Sequence, residues 1–120
     1  MIRNFTDLEA WQQAHRIALF VYKITRKYPR DEVFALTNQS RRAAASVGAN
    51  IAEGFSRNTK KDKVHFYTIA RGSLTELQNH ILLARDLGYV AAADIAEIMK
   101  SSEWTVRLIA GLERSASDKN

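Results

Sequence analysis

The chain has 120 residues, 46% hydrophobic and 26% charged, with a net charge of +5, and this composition predicts one folded domain and excludes a disordered chain. It contains no cysteine, which excludes disulfides and cysteine-ligated metal sites. The sequence near Met1 lacks the apolar core of a signal peptide, and no apolar run reaches the length of a membrane span, so we expect a soluble, cytoplasmic protein.

Capping residues and glycines divide the sequence into four helices. Thr6 and Glu9 have the spacing of a capping box, and Thr59 and Asp62 repeat it, so a helix is predicted to begin at each pair. Gly54 is expected to close the second helix in the left-handed conformation. The predicted helices cover about residues 7–27, 32–54, 60–88 and 92–114, with a loose tail at 115–120. Because short connections join these helices, the predicted fold is an all-α, antiparallel up-down-up-down four-helix bundle in a single domain.

Two of the predicted helices carry more apolar surface than one bundle core needs. On the first, apolar residues between Leu8 and Tyr28 cover an arc of roughly 220° at helical spacing, and Phe20 is expected on the remaining polar face. On the fourth, Trp104 is expected on the polar side. Exposed large aromatics often anchor interfaces, so we predict that Phe20 and Trp104 contact other subunits of a homo-oligomer. The alternative is that both are ordinary surface aromatics.

Small residues are concentrated in the second predicted helix, between Ala43 and Ala52, and the third has Gly72 near its middle. A glycine inside a helix costs about 1 kcal/mol relative to alanine. Gly48 and Gly72 therefore predict the close approach of another backbone, the alternative being an open surface at each glycine.

A polar stripe follows one side of the second predicted helix. Steps of three and four residues bring five side chains to that side, namely Gln39, Arg42, Ser46, Asn50 and Glu53. Such a stripe can join helices or subunits through charge-assisted hydrogen bonds, for example between Arg42 and Glu53 of a neighbouring copy. It can also contact a ligand or nucleic acid. We prefer the structural role, because Glu53 would repel a phosphate.

The sequence contains no recognisable catalytic, cofactor-binding or metal-binding pattern. His15, His65 and His80 form no His-Glu-x-x-His pair, and no glutamate is followed three residues later by a histidine, as a di-iron bundle would require. The glycines are scattered singly, so no phosphate-binding loop is predicted. We therefore expect a protein that is not an enzyme and that has no cofactor. His15 and His80 are interpreted as packing residues.

Most of the positive charge lies in the first three-quarters of the chain. Residues 1–85 hold fourteen Lys and Arg residues against seven Asp and Glu residues, whereas residues 86–120 hold four against six. The basic residues form a first cluster of Lys23, Arg26, Lys27 and Arg30, a second of Arg57, Lys60, Lys61 and Lys63, and a mid-height pair of Arg41 and Arg71. An antiparallel bundle separates the two clusters by about 33 Å. They predict binding to a phosphate backbone, the alternative being solvated side chains at the bundle ends.

The most distinctive segment is residues 39–54, with the sequence QSRRAAASVGANIAEG. It occurs together with Phe5-x-x-Leu8-x-x-Trp11, with IARGSLTEL at residues 69–77 and with Leu-Gly-Tyr at residues 87–89. In this combination the chain resembles the 23S rRNA intervening-sequence protein family, from about Phe5 to Leu112. Val47 and Gly48 stand where many relatives have an Ile-Pro pair, a difference that leaves the expected fold unchanged.

The resemblance implies a four-helix bundle that assembles as a homopentameric ring. The family takes its name from reading frames inside inserts of ribosomal RNA genes, and many members have no assigned activity. A related bundle, the accessory protein of diversity-generating retroelements, forms a similar basic pentamer that contacts nucleic acid and a reverse transcriptase. In such a ring each basic cluster would be repeated five times, so that each rim would follow a phosphate backbone.

The residues and the resemblance together predict a non-enzymatic homo-oligomer, a pentamer of unassigned cellular role, that binds RNA or DNA through its basic surfaces. A reverse transcriptase or another protein is a further expected partner, and no membrane is expected. The alternative is an interaction scaffold that binds protein partners and no nucleic acid.

Overall fold

Four long helices and two short 3-10 turns make up the computed structural model, which describes residues 1–118. The helices are α1 (Glu9–Thr25), α2 (Leu36–Ser56), α3 (Lys60–Asp86) and α4 (Ala92–Asp118). The 3-10 turns are Phe5–Asp7, before α1, and Arg30–Glu32, between α1 and α2. No strand occurs in these residues, and the predicted all-α four-helix bundle is confirmed. None of the four helices is long and apolar enough to cross a membrane.

Contacts along α2 and α3 show that these two helices run in opposite directions. The Nζ of Lys63, in the first turn of α3, donates a hydrogen bond to the carbonyl oxygen of Phe55, at the end of α2, over 2.8 Å. Farther along both helices, the hydroxyl oxygens of Ser46 and Ser73 lie 2.9 Å apart. The bundle measures 49 × 25 × 21 Å, so its two ends are well separated.

Aliphatic side chains from all four helices form one core. Small side chains on α2, among them the buried Ala43 and Ala44, let α2 pack closely against both α1 and α3. Burial of each large aliphatic side chain contributes about 1.5–3 kcal/mol. The large aliphatic side chains with almost no exposure are Val21, Val47, Ile51, Leu74, Leu77, Ile81, Ile98 and Ile109.

The first helix does not begin where the capping pattern predicted. α1 begins at Glu9 without a side-chain cap, and the capping box of this region joins Asn4 and Asp7 around the preceding 3-10 turn. The predicted box of Thr6 and Glu9 was therefore wrong, because Leu8 is the N-cap residue of α1 and the Thr6 hydroxyl donates to the side chain of Asn4 instead. At α3 the predicted cap is confirmed, since the Thr59 hydroxyl accepts a hydrogen bond from the amide of Asp62 at 3.2 Å.

Two further helix boundaries differ from the prediction. α2 begins at Leu36 rather than near residue 32, because Arg30–Glu32 forms a 3-10 turn and Ala35 has a non-helical backbone with φ −124° and ψ −108°. Residues 33–35 consequently form a turn. α4 continues to Asp118, through most of the segment predicted as a loose tail. Its last turns are held by Ala116, which is buried in the core.

Gly54 has a steric role and does not close α2, which continues to Ser56. A Cβ atom at Gly54 would lie 2.7 Å from Cε1 of the buried Tyr67, too close for any side chain without movement of the ring. The glycine therefore provides the clearance that lets α3 pack against the end of α2.

The left-handed glycine of this fold is Gly88, with φ 81°, just beyond the end of α3 at Asp86. The amides of Gly88 and Tyr89 donate to the carbonyl oxygens of Arg85 and Ala84, at 3.0 and 2.9 Å, in a Schellman motif. This motif ends α3 two residues before the predicted boundary and turns the chain toward α4.

The other two interior glycines approach no backbone of their own chain. A Cβ atom at Gly48 would lie 3.4 Å from Nε1 of Trp11, which is a side-chain contact. At Gly72 nothing lies within 4 Å. Within a single subunit, Gly72 therefore lies on an open surface, which was the alternative to a close backbone approach. Gly48 makes room for the indole ring of Trp11.

We predict opposite effects on stability for two glycine-to-alanine substitutions. Gly54→Ala is expected to lower the free energy of unfolding by about 1–3 kcal/mol, because the added methyl group overlaps the Tyr67 ring. Gly72→Ala, the matched control, is expected to raise it by about 0.5–1 kcal/mol through helix propensity alone. Urea denaturation of both variants measures the difference, and a destabilised Gly72→Ala or a neutral Gly54→Ala would contradict the packing described.

Candidate functional site

The first basic cluster, which we call the α1-end cluster, lies at and just beyond the C-terminus of α1. All four side chains are exposed, and none forms an ion pair or a hydrogen bond within residues 1–118. The free carbonyl groups at the end of a helix favour cations at this position. Its members are Lys23, Arg26, Lys27 and Arg30. The structure therefore leaves four cations at one end of the bundle open to an anionic ligand.

A small second core fixes the backbone next to the α1-end cluster. Tyr28, Leu36 and Ala84 are buried together, and the ring of Tyr89 lies 5.4 Å from that of Tyr28. The Tyr89 hydroxyl donates to one carboxylate oxygen of Glu32 at 2.8 Å, and the amide of Leu36 donates to the other at 3.2 Å. Burial raises the pKa of Tyr28 to about 12, so its hydroxyl stays uncharged at neutral pH. These contacts hold the connection between α1 and α2 in place.

Arg57, in the second basic cluster, is already paired within the chain. Its guanidinium lies 2.9 Å from the carboxylate of Glu53 and 4.7 Å from the centre of the Phe66 ring. The ion pair neutralises much of the charge that Arg57 would offer to a phosphate. Glu53, a member of the polar stripe, is thereby paired in its own subunit, whereas the sequence interpretation paired it with Arg42 of a neighbour.

Lys63, in the same cluster, caps the end of α2. Its Nζ donates to the carbonyl oxygens of Gly54 at 3.3 Å and Phe55 at 2.8 Å. Lys60 and Lys61 form no ion pair within residues 1–118. The second cluster therefore offers fewer open cations than the α1-end cluster.

The two mid-height arginines connect helices. Arg71 on α3 forms a bidentate pair with Glu113 on α4, at 2.7 and 3.1 Å. The hydrogen bonds from Arg71, together with one from Thr68, lower the pKa of the Glu113 carboxyl, so the pair is ionised at neutral pH. Arg41 on α2 donates to the Thr25 hydroxyl at 2.8 Å, at the end of α1. Both arginines therefore have a structural role, and we leave them out of the proposed nucleic-acid surface.

The polar stripe lies in the groove between α2 and α3. Ser46 contacts Ser73, and the side-chain amide of Asn50 donates to the carbonyl and hydroxyl oxygens of Ser46 at 2.9 and 3.0 Å. Nearer the start of α2, Gln39 and Arg42 line a groove of about 330 Å³ between α2 and α3. Within one subunit, Ser46 is thus the member of the stripe that bonds to α3, and Asn50 supports it from one turn further along α2.

An apolar groove of about 360 Å³ lies on the outside of α1 and α2, and we call it the α1–α2 groove. Its floor on α2 is made of alanines and Gly48. On α1 it is bordered by Trp11, whose ring stacks on that of His15 at 4.7 Å, and by Leu19 and Tyr22. Leu19 is 60% exposed and Tyr22 is 43% exposed. Tyr22, at one edge of the apolar arc predicted for α1, therefore faces outward, and Leu19 adds apolar surface beside it that the predicted arc did not include.

The two predicted anchor aromatics differ in burial. Trp104 is 44% exposed, which agrees with its predicted place on the polar side of the fourth helix. Phe20 is only partly exposed and packs against the core in the groove between α1 and α4, so its predicted place on the polar face was wrong. Ile17 on α1 and Ile98 on α4 line the same groove as the Phe20 ring. The helical wheel could not show this, because the position of α4 over α1 is a tertiary feature.

The histidines contact neighbours on their own helices. Among residues 1–118, no group of three or more His, Cys, Asp or Glu side chains is placed to hold a metal ion. His80 lies 3.1 Å from the carboxylate of Glu76, one turn earlier on α3. His15 packs on Trp11.

One exposed aromatic, Phe34, was missed by the sequence analysis. The prediction placed it inside the second helix, whereas it lies in the turn before α2 and is 93% exposed. Pro29 followed by Arg30 and two acidic residues is typical of a helix start, so no local pattern indicated the turn.

Comparisons with known proteins agree with the fold. A crystal structure of a protein of unknown function from the S23 ribosomal protein family of Bacteroides thetaiotaomicron superposes with a TM-score of 0.78 at 19% identity, over 88% of this chain and 98% of that chain. At this identity the likeness concerns the fold alone. A comparison with curated proteins gives no match. The model of the 23S rRNA-intervening sequence protein family matches residues 6–111, and because this covers nearly the whole chain, the protein belongs to that family.

Proposed function

We propose that this protein is a non-enzymatic homo-oligomer, a ring of five subunits, that binds RNA or DNA in the cytoplasm. The observation that carries the proposal is the α1-end cluster, four exposed cations without an acidic partner in residues 1–118. Cations of this kind bind a phosphate backbone by releasing its counterions. The number of five subunits comes from the family resemblance.

Self-assembly is supported by the α1–α2 groove. Leu19 and Tyr22 leave a large part of their apolar surface in water, and full burial of such a side chain is worth about 1.5–3 kcal/mol. The alanines and Gly48 on α2 leave a shallow floor that accepts bulky side chains of another subunit. Trp104 lies on α4, next to the side of α1 that faces away from the α1–α2 groove, and its exposed ring offers a second apolar contact.

Assembly into a ring would bring the α1-end clusters of several subunits together, whereas one chain alone has only four of these cations. A ring of five subunits would bring about twenty cations of the α1-end clusters to one rim, enough to follow a phosphate backbone. The second cluster lies at the other end of the bundle, where Arg57 and Lys63 are engaged. The α1-end rim is therefore the proposed binding surface.

A protein-binding scaffold is the second candidate function. It is supported by Trp104, which stays exposed on α4 if the α1–α2 groove is used for assembly. A reverse transcriptase, as in the related retroelement bundle, is one partner that such a surface would bind.

We predict that a single charge in the α1–α2 groove dissociates the oligomer. Leu19→Glu is expected to reduce the mass measured by light scattering at micromolar concentration to that of one 13.6 kDa chain, because the carboxylate cannot be buried at the interface. Leu83→Glu, at a leucine of α3 that is 49% exposed, serves as the control and is expected to keep the oligomer. A wild-type protein that runs as a monomer, or an unchanged mass for Leu19→Glu, would exclude this interface.

We predict that reversing two charges of the α1-end cluster weakens nucleic-acid binding. The double variant Lys27→Glu and Arg30→Glu is expected to lose at least about tenfold in affinity for structured RNA or duplex DNA at low salt, measured by fluorescence anisotropy. The control Arg107→Glu and Arg114→Glu makes the same change in net charge at exposed positions of α4, and a small effect is expected.

Two outcomes would count against the proposal. Equal losses in the two double variants would show that overall charge, rather than the α1-end cluster, determines the affinity. If the wild-type protein binds neither RNA nor DNA at low salt, the nucleic-acid function is excluded and the scaffold is favoured.

A further inference from the structure

Phe34 is unusual among the aromatic side chains of this protein because almost none of it is covered. Its exposed fraction is 93%, against 44% for Trp104 and 43% for Tyr22. A phenyl ring in water is unfavourable, since it loses the free energy that burial would provide. The packing of a single subunit gives no reason for a ring at this position.

The backbone holds Phe34 in a defined place. The amide of Val33 donates to the carbonyl oxygen of Arg30 at 3.1 Å, and the amide of Ala35 donates to that of Glu32 at 2.9 Å. Glu32 is itself fixed by the hydrogen bonds to Tyr89 and Leu36 described above. The ring is therefore presented on an ordered turn, and a ligand that binds it has little backbone to order.

The turn that carries Phe34 holds one cation, Arg30, and two carboxylates, and it directly follows the other three cations of the α1-end cluster. Arg30, the last member of the α1-end cluster, lies four residues before Phe34. Of the two acidic residues in the turn, Glu32 is engaged by Tyr89, which leaves Asp31 as the exposed carboxylate. Cations beside an aromatic ring are the combination with which proteins bind single-stranded nucleic acid, the cations contacting phosphates and the ring stacking on a base.

The surroundings of Phe34 favour a base over another protein. An anchor of a protein interface lies within an apolar patch that excludes water. Arg30, Asp31 and Asn38, close to Phe34 in sequence, are exposed polar residues, and the adjacent Val33, at 49% exposure, is the one large apolar side chain beside it in the turn. A base needs only one free ring face, and duplex nucleic acid offers few such faces because its bases are stacked on both sides.

We infer that Phe34 is a stacking platform for an unpaired base and that the α1-end cluster and Phe34 together bind single-stranded RNA or DNA. This inference rests on the proposed nucleic-acid function and names its ligand. In a ring, the five platforms would lie on the same rim as the cations, so that one strand would contact several of them.

An abasic oligonucleotide separates stacking from charge. The probes are a fluorescent oligothymidylate of about twelve nucleotides, which lies within the usual range of single-strand site sizes, and an abasic strand with the same number of phosphates. The wild-type oligomer is expected to bind oligothymidylate about tenfold more tightly than the abasic strand. Phe34→Ala is expected to remove this difference and to leave the affinity for the abasic strand unchanged.

Two further variants control for the ring and the turn. Phe34→Trp keeps an aromatic face and is expected to keep the preference for oligothymidylate. Val33→Ala, at the neighbouring half-exposed side chain, is expected to bind both strands as the wild type does.

The outcomes distinguish this inference from the proposed function. If the wild-type protein binds both strands equally, or if Phe34→Ala keeps the preference for oligothymidylate, the stacking role is excluded while the nucleic-acid function stands. If the wild-type protein binds no strand and no duplex at low salt, the nucleic-acid function itself fails and the inference fails with it.

Discussion

The close packing made possible by the small side chains of α2 is the constraint on which the rest of this structure depends. Ala43 and Ala44 are buried where α2 meets its neighbours, and Gly54 clears the space that Tyr67 occupies. A helix with such a narrow surface lets α1 and α3 approach from two sides. It also leaves little side-chain volume on its outer face, which is why the α1–α2 groove is shallow, apolar and open.

The same packing determines which charges remain open. The ends and sides of tightly packed helices carry carbonyl groups and carboxylates that cations satisfy, as Lys63 does at the end of α2 and Arg71 does with Glu113. Those cations stabilise the bundle. The α1-end cluster lies beyond the helix contacts, and its neighbour Glu32 is used to hold the connection between α1 and α2. Its charge is therefore available to an external phosphate, and Phe34 lies in that same connection.

Features with a local or periodic cause could be predicted from the sequence. The number of helices follows from the capping residues and glycines that separate them, and the Thr59 cap follows from a hydroxyl three residues before an amide. The outward Trp104 follows from its place on a polar helix face. Residues 39–54 and the accompanying motifs were sufficient to indicate the family, which the family model confirms.

Features that depend on contacts between distant residues were not predictable. Phe20 is covered because α4 lies over α1, and α4 extends to Asp118 because Ala116 reaches the core. Phe34 lies outside α2 because the helix begins only at Leu36, whose amide bonds to Glu32, and Glu32 also bonds to Tyr89, 57 residues away in sequence. The basic clusters were identified by composition, but their partners in the fold separate the structural cations from the open ones: Glu53 for Arg57, Glu113 for Arg71, the carbonyl groups at the end of α2 for Lys63 and the Thr25 hydroxyl for Arg41.

The salt dependence of nucleic-acid affinity tests most directly whether cations of several subunits act together on one strand. One α1-end cluster has four cations, so a single subunit on single-stranded nucleic acid would give a slope of log K against log salt no steeper than about −3. Assembly into a ring predicts a slope steeper than about −5, because one strand contacts the clusters of neighbouring subunits. A slope of about −3 or shallower would contradict the ring as the binding unit.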